Sequence, residues 1–302
     1  MKIKSLFSLI MVVGLALFVS TFNSCQSGND TQNLENEIDK KVDTAGLAAK
    51  EKAQKVFYSL PSPIETALLL KRAGAKFNDE YLNPIDNINK YTSTKKMALN
   101  LGVYSADLSF VSMFDQSQYS VKYLSAVKKL ADELGILDAV DQSLFDRMDK
   151  NMGNADSLME IISETMMNSD AFLKDNDRME TAAIVLAGGW IEGLYIAVQI
   201  AKSTENNQEI VKRVIDQRLS LNTLLNLLKS YKDNADIKDI TPKLEELKVL
   251  FDKIKVTSST PEMTKSDKGE NVVKSEVKID YKQEDIDALF NKVIEIRNEI
   301  VS

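Results

Sequence analysis

Between Ala182 and Ala201 the chain runs for 20 residues in which only Glu192 and Gln199 are strongly polar. As a helix this segment reaches about 30 Å, the thickness of a bilayer's hydrocarbon core. Glu192 sits in its middle, where lipid would make an acid costly, and the flanking Arg178, Glu180 and Lys202 lack the basic bias of a cytoplasmic end. A helix apolar on every side is then best accommodated at the centre of a bundle. The expected fold is all-α: a multi-helix bundle of amphipathic helices around a central apolar helix at about 182–201, with a short strand-like segment and a helix at the C-terminus.

The rest of the chain supports that class. Eleven Gly and 5 Pro in 302 residues leave few of the breakers that punctuate all-β folds. One amphipathic helix is expected to run to about Leu60, stopping at the Leu60-Pro61-Ser62-Pro63 corner, and another from Ile64 to Phe77 before the break at Asn83-Pro84. Met97, Leu101, Tyr104, Leu108 and Val111 recur every three or four residues and predict a long helix from Ser93-Thr94. Further helices are expected over 121–134, 138–150, 156–173, 178–202, 208–231 and 242–255, the first closed by Gly135. Asn176-Asp177-Arg178 reads as the cap of the central helix, and Met159, Met166 and Met167 as core filling. Segment 257–276, rich in Ser, Thr, Lys and acids, reads as a linker or mobile loop; 277–302 follows as a strand-like stretch and an amphipathic helix with Ile286, Val293 and Ile300 seven apart. The simplest burial for that last stripe is the bundle itself, the alternative being a partner protein.

Two groups of residues stand out in the helical domain, 34–256. Gly189 and Gly193, with Gly188 beside them, give a small-x-x-x-small spacing that Gly102 and Ala106 repeat, so the two helices are expected to cross closely there. The spacing is equally that of a duplicated unit. Asp107 and Glu192 are acids among apolar neighbours, near Tyr104, Trp190 and Tyr195 in helical terms. Burial would raise their pKa unless they are paired; they read first as core-specifying polar groups and second as a pocket or catalytic pair.

The N-terminus reads as an address. Lys2 and Lys4 precede an apolar run from Leu6 to Val19, and the sole cysteine, Cys25, follows with Ser24 before it. This pattern resembles a bacterial lipoprotein processing site: 1–24 as the signal peptide, Cys25 as the lipidated first residue, and 25–33 as a flexible tether. A conventional secretory signal with an incidental Cys25 is the alternative. Removing 1–24 takes two lysines and no acid, so the body is more acidic than the whole chain's net −7. That balance disfavours nucleic acid as a partner. The chain has no His, and Cys25 is expected to be consumed by lipid, which removes the Ser-His, Cys-His and His-based metal chemistries. No cofactor and no metal are expected.

The stretches 57–65 (FYSLPSPIE), 99–107 (LNLGVYSAD) and 188–195 (GGWIEGLY) resemble segments of uncharacterised, all-helical envelope lipoproteins of the Bacteroidota. The resemblance spans roughly 56–203 and brings no catalytic residues. It strengthens the lipoprotein reading, and Gln26 after Cys25, with no dense acidic cluster following, resembles sorting to the outer membrane on its periplasmic side. Three functions then compete: a lipid-anchored helical interaction or structural module with an envelope protein partner, first; a carrier or sensor whose pocket is lined near Tyr104, Trp190 and Tyr195, second; and a carboxylate-based enzyme, third.

Overall fold

The computed structural model describes residues 71–302, except 73, 138–141, 152, 206, 259–261, 266–270 and 275–276. The signal peptide, Cys25, the tether, the first helix and most of the second lie outside the described residues. Two 3-10 turns, Asp79–Tyr81 and Ile85–Lys90, flank the Asn83-Pro84 break, where proline disfavours helical backbone before it. Ser93 then caps α1 (Thr94–Met113), its Oγ accepting from the Lys96 N–H at 3.2 Å.

From Ala98 to Met113, α1 is buried at every position but Ser105, so it is covered all round rather than along the single stripe its spacing suggests. The serines make this possible. Ser105, Ser109 and Ser112 turn their hydroxyls onto the carbonyls of Leu101, Ser105 and Leu108 at 2.7, 2.9 and 2.6 Å. Their polar atoms are satisfied within the helix, and no face of α1 has to meet water.

After α1 come α2 (Ser117–Glu133), α3 (Gln142–Lys150), α4 (Ala155–Asp175) and α5 (Met179–Ser203). Asn176 serves the helix before it, its Nδ2 donating to the Phe172 carbonyl at 2.8 Å, while Arg178 occupies the cap position of α5 without a side-chain capping bond, its Nη2 donating instead to the Leu134 carbonyl at 2.9 Å. α5 is the central helix. Its length and composition would let it cross a membrane, yet 78% of its most apolar window is buried inside the bundle. α1 lies across it, α6 (Gln208–Ser230) packs on another side, and α4 covers part of both α1 and α5.

α1 and α5 meet backbone to backbone. A Cβ on Gly102 would lie 2.0 Å from the Val185 carbonyl oxygen, and one on Gly188 would lie 1.9 Å from that of Leu99. Gly189 is less tightly held, with 3.2 Å to the Gly102 oxygen. Only hydrogen fits at the first two positions. The close crossing expected from the small residues thus centres on Gly102 and Gly188, with Gly189 beside them.

α7 (Ala235–Asp252) starts seven residues before Pro242, which therefore lies inside the helix rather than at its start. Two forces outweigh the proline: Asn234 caps the helix by accepting from the N–H groups of Asp236 and Ile237, and Ile237 and Ile240 extend the buried stripe of Leu244, Leu247 and Phe251. Segment 257–276 also differs from a plain linker. β1 (Lys255–Ser258) pairs antiparallel with β4 (Val277–Asp280), and β2 (Glu262–Lys265) with β3 (Asn271–Lys274). Val256, Thr257, Val272, Val273, Val277 and Ile279 supply the β-branched residues that a polar average composition conceals. Finally α8 (Gln283–Val301) packs on α5, α7 and α1, burying Ile286, Leu289, Phe290, Val293, Ile296 and Ile300.

Gly102→Ala and Gly188→Ala should each cost about 3 kcal/mol or more, since the added carbon meets backbone that cannot swing aside. Thermal unfolding should fall by roughly 6–12 °C for each, and less for Gly189→Ala. An unchanged melting temperature for Gly102→Ala would show that the two backbones are not in contact.

Candidate functional site

The glycines that let α1 and α5 touch also leave space beside the crossing. A cleft of about 110 Å³ opens there between α1, α2, α4 and α5, with Gly102, Gly189 and Gly193 among its lining residues. Leu101, Val185, Leu186, Trp190 and Leu194 supply much of its remaining surface, and Met166 and Leu173 of α4 its other wall. Met166, Val185 and Leu186 are half-buried, so the cleft opens to solvent.

Three of its polar side chains bond within the protein. Ser105 Oγ donates to the Leu101 carbonyl at 2.7 Å, and Thr165 Oγ1 to that of Ile161 at 2.8 Å. Trp190 Nε1 donates to Ser220 Oγ at 3.0 Å, and that hydroxyl contacts Gln217 Oε1 at 2.8 Å. The cleft therefore presents mostly hydrocarbon and one indole, with Ser169 and Gln217 as its other polar side chains. A ligand bringing a charge into it would lose hydration without recovering hydrogen bonds, so the site suits an apolar guest.

A second, separate assembly lies on other faces of the same helices. Arg297 of α8 grips Glu192 of α5 in a bidentate pair, Nε to Oε2 and Nη2 to Oε1, both at 2.9 Å, with the two side chains 7% and 0% exposed. The guanidinium carbon lies 4.3 Å from the centroid of the Tyr195 ring. Such stacking and forked bonding suit arginine and would not transfer to lysine. Asp107 of α1 is fully buried beside Glu192, its Oδ2 accepting from the Asn83 N–H at 3.1 Å. Burial, then the neighbouring Glu192 carboxylate, push the Asp107 carboxyl well above the usual range, and Arg297 opposes them in part.

Asn83 connects this cluster to its surroundings. Its Nδ2 donates to Tyr91 Oη at 3.0 Å and contacts Asn100 Oδ1 at 3.4 Å, while its carbonyl accepts from Tyr123 Oη at 2.9 Å. Tyr104 Oη donates to the Pro84 carbonyl at 3.0 Å. Three donors reach the last two carbonyls of α8 and the residue that caps it: Asn100 Nδ2 to Ile300 at 3.0 Å, Tyr91 Oη to Val301 at 3.2 Å and Lys96 Nζ to Ser302 at 3.1 Å. These bonds satisfy groups that a helix C-terminus leaves open. Burial raises the phenol pKa of Tyr91, Tyr104, Tyr123 and Tyr195, so all four stay neutral donors.

The structure thus divides the residues singled out in the sequence. Asp107, Glu192, Tyr104 and Tyr195 come together in the ionic and hydrogen-bonded interior; Trp190 faces the cleft with Gly102, Gly189 and Gly193; Ala106 is buried in α1 away from the cleft lining. The pocket expected near Tyr104, Trp190 and Tyr195 is therefore lined by Trp190 without either tyrosine. Asn83, Tyr91, Asn100 and Arg297 were not singled out. One signal for Arg297 was available: it lies four residues after Val293 and seven after Phe290, on the apolar stripe of α8. Among the described residues no group of three potential ligands converges on a metal position. No protein-family model, curated protein or solved structure matches the chain.

Proposed function

We propose that this chain is a lipid-anchored helical module of the bacterial cell envelope that binds an apolar small molecule or hydrocarbon chain in the cleft beside the α1–α5 crossing. The observation that carries this reading is a solvent-open cleft lined mainly by hydrocarbon, in which the polar atoms of Ser105, Thr165 and Trp190 bond within the protein. A dry engineered cavity of about 150 Å³ takes up benzene, so the space here is of the right order for an aromatic ring or part of an alkyl chain. A partner-binding role for the C-terminal helix has less support, because the stripe it would offer is buried in its own bundle. Two acyl chains on Cys25 would hold the module at a membrane, where hydrocarbon ligands concentrate.

Burying four or five methylenes at about 0.8 kcal/mol each predicts affinity for a simple alkyl probe near the millimolar range. Trp190, the one tryptophan of the chain, reports on the cleft directly. Titration with 1-octanol should shift its emission and move the methyl resonances of Leu101 and Val185. Ser105→Leu, which adds a side chain to the cleft, should abolish both responses while leaving the melting temperature equal or higher. Absence of any response up to the solubility limit of the alcohol would sink the binding role. The anchor has its own test: Cys25→Ser should move the protein from the membrane to the soluble fraction, and a variant that stays with membranes would contradict lipid attachment there.

A further inference from the structure

Three buried side chains that ordinarily carry charge meet at one place: Asp107 on α1, Glu192 on α5 and Arg297 on α8. Two are acids and one is a base, so full ionisation would leave an unbalanced negative charge in an interior where water does not compensate it. Arg297 spends both arms of its fork on Glu192 and none on Asp107. Asp107 has one donor, the Asn83 N–H at Oδ2, and Oδ1 is buried with no hydrogen-bond donor facing it. An ionised carboxylate in that position is half-solvated by the protein at best. A protonated one turns the orphaned oxygen into a donor with an acceptor beside it, the Glu192 carboxylate.

We propose that Asp107 holds a proton at neutral pH, donated to Glu192, and that losing this proton unlatches α8 from the bundle. The groups facing Asp107 leave no other means of compensation. Tyr104 from α1 itself, Tyr123 from α2 and Tyr195 from α5 are phenols held neutral by burial, and Arg297 is already bound to Glu192. Deprotonation places two carboxylates side by side with a single guanidinium, already bound to Glu192, to offset them. Of the three helices that carry the cluster, α1 and α5 are joined at the glycine crossing, whereas α8 has solvent-exposed positions along its outer face. It is the element that yields when water must enter. The direction with pH follows from linkage. Because burial lifts the folded-state value of Asp107, its stabilising contribution is complete below the ordinary carboxyl value of about 3.9 and is lost as pH rises through the folded-state value.

The test uses the purified full chain. In wild-type protein at neutral pH, infrared difference spectra should contain the carbonyl band of a protonated carboxyl group, and this band should be missing in Asp107→Asn. Amide hydrogen exchange of residues 283–301, corrected for its intrinsic pH dependence, should lose about tenfold protection or more relative to α6 as pH is raised from neutral to the alkaline limit of the folded protein. Asp107→Asn, which keeps a donor toward Glu192 and an acceptor for Asn83 at every pH, should hold α8 protection flat over that range. A wild-type spectrum without the band overturns the proposal even if the variant does not fold. So does α8 protection that is independent of pH, or that declines equally in wild type and Asp107→Asn.

Discussion

Everything in this bundle is arranged around the contact of two backbones. Where Gly102 meets Val185 and Gly188 meets Leu99, no carbon separates α1 from α5. Dispersion and hydrophobic burial act at their shortest range across such a crossing, and any side chain there would pry the helices apart. The composition of α1 follows from that contact. Alanines, serines that bond their own helix and a glycine allow α1 to be buried nearly throughout. The cleft is the other product of the same small residues, since Gly102 and Gly189 belong both to the crossing and to its lining.

The C-terminal helix is attached by a different kind of chemistry. Its apolar stripe supplies area, but its register is fixed by polar bonds: Arg297 on Glu192 halfway along α5, and Asn100, Tyr91 and Lys96 on the carbonyls of its last two residues and its cap. Removing one partner of a buried ion pair costs about 3–5 kcal/mol, because the other is left charged and unsolvated. Hydrophobic residues would have fastened the helix at least as firmly. What the ionic pair adds is a single permitted alignment, since a shift of one turn would strand Glu192. The segment around Asn83 is drawn into the same network, so a loop near the start of the described chain, the central helix and the C-terminus are held by one set of bonds.

Much of this was legible in the sequence, for physical reasons that can be named. A 20-residue apolar run with one acid at its centre has few places to go in water, and the helix boundaries followed from apolar spacing and caps such as Ser93 and Gly135. Asp107 and Glu192 betrayed their burial because their neighbours are apolar on every helical face. Their partner was hidden: Arg297 lies near the end of a charged helix, where a cation ordinarily faces water and the helix dipole. The pocket was misassigned in part because Tyr104 and Tyr195 share sequence neighbourhoods with the cleft-lining residues but point to other faces, toward Pro84 and Arg297. Pro242 and the strands β1, β2 and β3 were obscured by averages, whereas the strand-like stretch from Val277 is β4. A proline is a poor guide when a stripe and a cap continue upstream of it, and four-residue strands vanish inside a polar composition.

Binding of an apolar guest requires the space beside the glycine crossing to be open, apolar and free of bound water. Xenon pressurisation of crystals tests this most directly, because the gas enters dry hydrocarbon-lined cavities and ignores polar ones. Xenon is expected between Gly189, Trp190 and Leu101, with no ordered water in its place in the unpressurised crystal. Ordered waters filling the cleft, or α4 closed onto α5 with no xenon between them, would contradict it.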